Sequence, residues 1–103
     1  MTLEEKEKAI IDNYGVINQL KHFQSEVWEL NEAIIKYEYE LDGDNYSNFT
    51  DELKEHITEE IADVKLMLNQ FKRYYNISDK EIEEVMQYKA DRQLKRIDKE
   101  KRG

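Results

Sequence analysis

"VINQLKHFQSEVWELNEAIIKYEYEL", Val16 to Leu41, is the stretch on which the fold turns. Within it Val16, Leu20, Phe23, Val27, Leu30, Ile34, Tyr37 and Leu41 recur at alternating steps of four and three. That is the period of a packed helix face, not the two-residue period of a strand. Neither proline nor glycine interrupts the run, so one long helix is expected. Ile17, Trp28 and Ile35 add a second apolar strip beside the seam. One partner helix does not cover both strips, and part of this face is expected to meet another subunit.

Upstream, Thr2 with Glu5 makes a capping box that opens a short first helix, and Gly15 ends or kinks it. Downstream, "DGDNYSNF", Asp42 to Phe49, reads as a loop of turn-forming residues, and Thr50 followed by Asp51 and Glu52 suits a new helix start. Leu53, Ile57, Ile61, Val64, Leu68, Phe71 and Tyr75 give a third helix its seam. Ser78 with Glu81 opens a last helix, with Ile82, Val85, Met86, Ala90, Leu94 and Ile97 expected inward and the terminal "KEKRG" frayed. The expectation is an all-α antiparallel bundle of about four helices, two of them long and central, forming one domain over residues 1–103 and completed by oligomerisation.

The 103 residues allow only a modest core, which again favours a homo-oligomer. There is no cysteine, which excludes a disulfide framework, a thiolate metal site and a cysteine nucleophile. No apolar run approaches the roughly 20 residues of a membrane span, and "MTLEEKEK" lacks the apolar stretch of a secretory signal. A soluble, cytoplasmic protein without a membrane partner is expected. The net charge of -8 is unevenly spread: residues 1–63 hold 5 Lys/Arg against 17 Asp/Glu, and residues 64–103 hold 11 against 7. An acidic surface disfavours nucleic acid, whose affinity comes largely from Lys and Arg, but leaves room for a small phosphorylated ligand held by metal ions and a basic tail.

The central helix carries "HFQSEVWE", His22 to Glu29, and the third helix nearly repeats it as "HITEEIAD", His56 to Asp63. Both follow His-x-x-x-Glu-x-x-(Glu/Asp). At about 100° per residue, Glu26 and Glu29 border the seam of one helix, and Glu60 and Asp63 border the seam of the other in the same way. Antiparallel packing brings these borders together. Two unit charges 4 Å apart repel by about 1 kcal/mol in water and roughly 4 kcal/mol near a protein surface, so something positive belongs between the four acids. Hard oxygen ligands without cysteine point to Mg²⁺ or Mn²⁺. Spacing alone is also met by Glu4/Glu7, Glu52/Glu55 and Glu81/Glu84, as a solvated acidic face would give. What separates the repeated motif is its position beside the seams of both long helices. His22 and His56 read as hydrogen-bonding or surface residues before they read as ligands.

These residues resemble a known family. "EVWEL" followed by "EEIADV" is similar to the E-x-x-E…E-x-x-D signature of the MazG-like all-α nucleoside triphosphate pyrophosphohydrolases, especially their short phage-type forms. "YGVINQL" from Tyr14, "EEIADVKLMLNQFKRYYN" and "YKADRQLKR" from Tyr88 extend the likeness from about Tyr14 to Arg96. The resemblance implies that Glu26, Glu29, Glu60 and Asp63 bind Mg²⁺ and carry catalysis. It implies a nucleoside triphosphate substrate cleaved to monophosphate and pyrophosphate, and a homodimer or homotetramer whose neighbouring subunits complete the sites. Gln19, in the N-Q pair with Asn18, is expected at the base, ribose or phosphate. Lys89, Arg92 and Arg96 recur at steps of three and four and form a basic face suited to β- and γ-phosphates. The same face also complements a helix C-terminus. Two positions depart from the pattern: Ser25 stands where a further glutamate is usual, and 30 residues separate Glu29 from Glu60.

Two other classes compete. A ferritin-like iron or manganese site uses Glu-x-x-His, whereas each histidine here precedes its glutamate by four, so that pattern is not met. A non-catalytic helical regulator that binds a nucleotide or a protein is the alternative to hydrolysis.

Overall fold

A computed structural model describes residues 1–42 and 51–103, all but short connections of them helical. Four helices follow in order: α1 (Leu3–Tyr14), α2 (Val16–Asp42), α3 (Asp51–Tyr74) and α4 (Asp79–Arg102). Asp42, expected to open a loop, ends α2 instead; the rest of that expected loop to Phe49, the Thr50 cap and the side chains of residues 40–42 lie outside the described residues. No strand occurs among the described residues, and the all-α helical bundle expected from the periodicity is observed.

The helix ends follow their local signals. Thr2 accepts from the Glu5 amide while Glu5 accepts from the Thr2 amide, satisfying two N–H groups that the first turn of α1 cannot bond internally. Gly15 then breaks α1 from α2 at φ 87°, a conformation that a Cβ makes costly, and its N–H bonds back to the Ile11 carbonyl. At the other end of α3, Asn76 takes up φ 55° and the Ile77 N–H reaches the Lys72 carbonyl at 2.9 Å, the bonding of a Schellman stop. Ser78 and Glu81 immediately form the capping box of α4. The turn between α3 and α4 is therefore short and internally bonded.

Helices α1, α2 and α3 pack together, whereas α4 packs against none of them. Gln19 pairs with Gln70, and Glu26 with Glu60 and Asp63, so α2 and α3 run antiparallel. Phe23 and Phe71 meet edge to face at 5.6 Å between them. The projecting α4 gives a radius of gyration of 17.8 Å, against about 13 Å for a compact chain of this length. Its seam residues Val85, Met86, Leu94 and Ile97, expected inward, are exposed.

The seam of α2 also differs from expectation. Gln19 and Ala33 are buried and Phe23, Glu26 and Leu30 partly so, while Leu20, Val27 and Ile34 are exposed. Helix α3 is turned likewise: Met67 and Gln70 are buried, and Ile61 and Leu68 are exposed. Both helices are rotated towards their acidic edges, so Glu26 and Glu60 enter the interface, Asp63 stays exposed at its border, and part of each apolar strip leaves it. Ile17, Trp28 and Ile35 lie on the outer side of α2, with Trp28 61% exposed.

Ionic contacts tie α1 to the far end of α3. Glu7 is 1% exposed and lies 3.6 Å from Arg73, which also approaches Glu4 at 3.4 Å and Asp79 at 3.9 Å. Lys72 bonds Asp79 as well, and its ammonium holds that carboxyl below the usual range. Deleting the arginine strands a buried charge, whereas deleting the acid leaves Arg73 with two other carboxylates. In urea unfolding at fixed protein concentration, Arg73→Ala should cost about 3–5 kcal/mol and Glu7→Leu less than about 1 kcal/mol; equal losses refute this asymmetry.

Candidate metal centre

Helix α2 contributes Glu26 and α3 contributes Glu60 and Asp63, and one carboxylate oxygen from each lies within 4.8 Å of the others. The period explains the convergence: Gln19, His22 and Glu26 on α2, and Glu60, Asp63, Met67 and Gln70 on α3, each follow steps of three and four. Antiparallel packing sets acid opposite acid and amide opposite amide.

The acids differ in environment. The Glu26 side chain is 13% exposed and receives a contact from His22 Nε2 at 3.2 Å, whereas His22 is largely in solvent. Glu26 Oε2 and Glu60 Oε2 are buried and have no hydrogen-bond partner. Burial raises the Glu26 pKa above its ordinary 4.5, the charges of Glu29, Asp63 and Glu60 add to the rise, and His22 opposes it. Two orphaned anionic oxygens and a third carboxylate facing them suit a hard divalent cation with oxygen ligands, so the residues present fit Mg²⁺ or Mn²⁺.

Of the four acids singled out in the sequence, Glu26, Glu60 and Asp63 are brought together. Glu29 stands one turn further along α2, exposed and outside the trio, though close enough for its charge to act on Glu26. His56 is exposed, and among the described contacts it belongs to no metal-binding group.

Beside the trio lies a cavity of about 370 Å³ that reaches from Glu26 and Asp63 to Gln19 and Gln70, with Ile10, Tyr14 and Leu66 along its walls. Gln19 is buried there, and its Nε2 donates to Gln70 Oε1 at 2.7 Å. Gln70 in turn donates to Met67 Sδ at 3.7 Å. Sequence reasoning singled out Gln19 and overlooked Gln70, although Gln70 continues the stripe of Glu60, Asp63 and Met67. Lys89, Arg92 and Arg96 are exposed on α4, and no α4 residue lines this cavity. Arg92 instead rests over the Tyr88 ring at 5.8 Å.

A carboxyl with a raised folded-state pKa holds its proton more tightly folded than unfolded, so its ionisation opposes folding. Metal-free protein should lose stability as pH rises from 4.5 through the Glu26 titration, and Glu26→Gln should remove that loss and melt higher than the parent at neutral pH. Thermal melts in chelator across this range test the sign. A Glu26→Gln variant that melts lower than the parent at neutral pH contradicts it. Compared with family models, curated proteins and solved structures, the chain matches none, and the reading of this centre rests on its geometry.

Proposed function

We propose that the chain is a Mg²⁺-dependent nucleoside triphosphate pyrophosphohydrolase of the MazG-like kind. The observation that carries this reading is the pair of buried, unpartnered oxygens on Glu26 and Glu60, grouped with Asp63 beside a cavity that Glu26 and Asp63 line. Structural packing alone does not call for such an arrangement, since buried carboxylates without partners are costly.

A divalent cation bound by Glu26, Glu60 and Asp63 supplies positive charge and Lewis acidity to phosphoryl oxygens. The chain's own residues do the rest. Ile10, Tyr14 and Leu66 offer an apolar wall to the nucleoside, and the Gln19 and Gln70 carboxamides offer donors and acceptors for orienting it. His22 contacts Glu26 and holds that carboxylate towards the trio. In the reaction, water adds to phosphorus at the α–β anhydride and the bridging P–O bond breaks. The water's proton passes to a carboxylate, leaving nucleoside monophosphate and pyrophosphate. The exposed strip Ile17, Trp28 and Ile35 supports assembly as a homodimer or homotetramer. No described helix is long and apolar enough to cross a membrane, in keeping with a cytoplasmic setting.

A second reading is a non-catalytic regulator that binds a nucleotide or a protein. It is favoured by the position of Glu29 outside the trio and by the absence of α4 cations from the cavity. Incubation with a panel of ribo- and deoxyribonucleoside triphosphates separates the two. Hydrolysis predicts Mg²⁺-dependent pyrophosphate release that falls by at least about a hundredfold in Glu60→Gln at unchanged helicity. Saturating Mg²⁺, at about 100 times its Kd, should add roughly 2.7 kcal/mol to the stability of the parent and not to that of the variant. A thermal shift with nucleotide but no pyrophosphate from any triphosphate favours the regulator.

A further inference from the structure

Helix α4 presents an apolar face that no other described helix covers. The accessible surface is 8570 Å², whereas a compact 12.5 kDa monomer exposes about 6,200 Å². The excess of about 2,400 Å² is well above the roughly 800 Å² that each partner gives to a standard interface. Helix α4, 24 residues long, packs on none of the other described helices. An isolated helix needs tertiary cover of its apolar face to persist, since propensity alone leaves it marginal.

Between α3 and α4 lies an open apolar groove of about 850 Å³, with Leu68, Phe71 and Tyr75 on one wall and Ile82, Met86 and Ala90 on the other. Along α4, Ile82, Met86, Ala90 and Leu94 stand four apart, a continuous ridge with its smallest residue near the middle of the helix. Ridges of this kind pack against their like, and a small residue lets the two axes approach at the crossing. Charge decides the direction. Asp79–Tyr88 holds one lysine against four acids, and Lys89–Arg102 holds seven Lys/Arg against three acids. A parallel pair sets like half on like half. An antiparallel pair sets each acidic half beside the partner's basic half.

We propose that two copies of this chain pair through α4 about a twofold axis at Ala90, each α4 lying in the α3–α4 groove of the other. Ala90 then faces its own counterpart, Met86 faces Leu94, and Ile82 lies one position from the level of Ile97. The surface is self-complementary, as a closed dimer requires. Lys89, Arg92 and Arg96 occupy another face of α4 and stay in solvent.

The absence of cysteine makes the test clean. A disulfide needs the two Cα atoms about 4.4–6.8 Å apart, which Ala90 meets only at such an axis. Full-length Ala90→Cys, oxidised at micromolar concentration, should move to the covalent dimer position on a non-reducing gel. Lys95→Cys, on the opposite side of α4, should stay monomeric under the same treatment. Light scattering should give Ala90→Cys the assembly mass of the parent, and Ala90→Glu half of it, with the α1–α3 helicity retained. Cross-linking of Ala90→Cys no greater than that of Lys95→Cys, or an unchanged mass for Ala90→Glu, overturns the proposal and leaves the groove to a different protein.

Discussion

Three carboxylates share the middle of the α2–α3 interface, and much of the molecule is arranged around their repulsion. With oxygens within 4.8 Å, each ionised pair opposes folding by roughly 3–4 kcal/mol at the effective dielectric of a protein surface. Three such pairs rival the 5–15 kcal/mol by which a domain is ordinarily stable. The chain has two visible means of relief. Glu26 holds a proton more readily than a free carboxyl, and His22 stands beside it. Neither neutralises Glu60 and Asp63, and among the described ion pairs no Lys or Arg comes to them. The divalent cation proposed above would complete the balance.

The same acids explain how the core is built. A helix pair that buries carboxylates has less room for leucine and isoleucine between its axes, and among the described residues the buried apolar ones come down to Ile11, Ala33 and Met67. The displaced residues, Leu20, Val27 and Ile34 on α2 and Ile61 and Leu68 on α3, stand outside. Stability is recovered elsewhere, in the aromatic contact of Phe23 with Phe71 and in the ionic cluster around Arg73. The exposed strips and the projecting α4 are thus two aspects of one condition: the chain carries more apolar surface than its own fold can use.

Much of this is legible in the sequence, and the reasons for the rest are specific. Helix starts at Thr2 and Ser78 and the break at Gly15 are local effects that depend on a few neighbouring atoms, so the residues declare them. Helical periodicity likewise placed Glu26, Glu60 and Asp63 on facing edges. The rotation of α2 and α3 was hidden, because an apolar face wider than one partner does not say which part of it turns inward. Gln70 was overlooked for a related cause: a polar residue inside an apolar period looks like surface until the amide it bonds, Gln19, is brought opposite. For α4, the regular seam misled. The spacing shows that a face wants cover, and nothing in it distinguishes cover by the same chain from cover by another.

The amide pair Gln19–Gln70 has a role beyond filling the cavity floor. It bonds side chain to side chain across α2 and α3, and helices in this orientation can otherwise slide in steps of one turn, about 5.4 Å. Such a slip would part the two amides and pull Glu26 away from Glu60 and Asp63 in the same movement. An uncharged contact two turns off therefore acts as the vernier of the acidic trio, and in the proposed metal centre it would set the ionic radius that fits between the oxygens. Discrimination by that centre between a small, strictly octahedral ion and a larger, more tolerant one would in that sense be written partly in carboxamides.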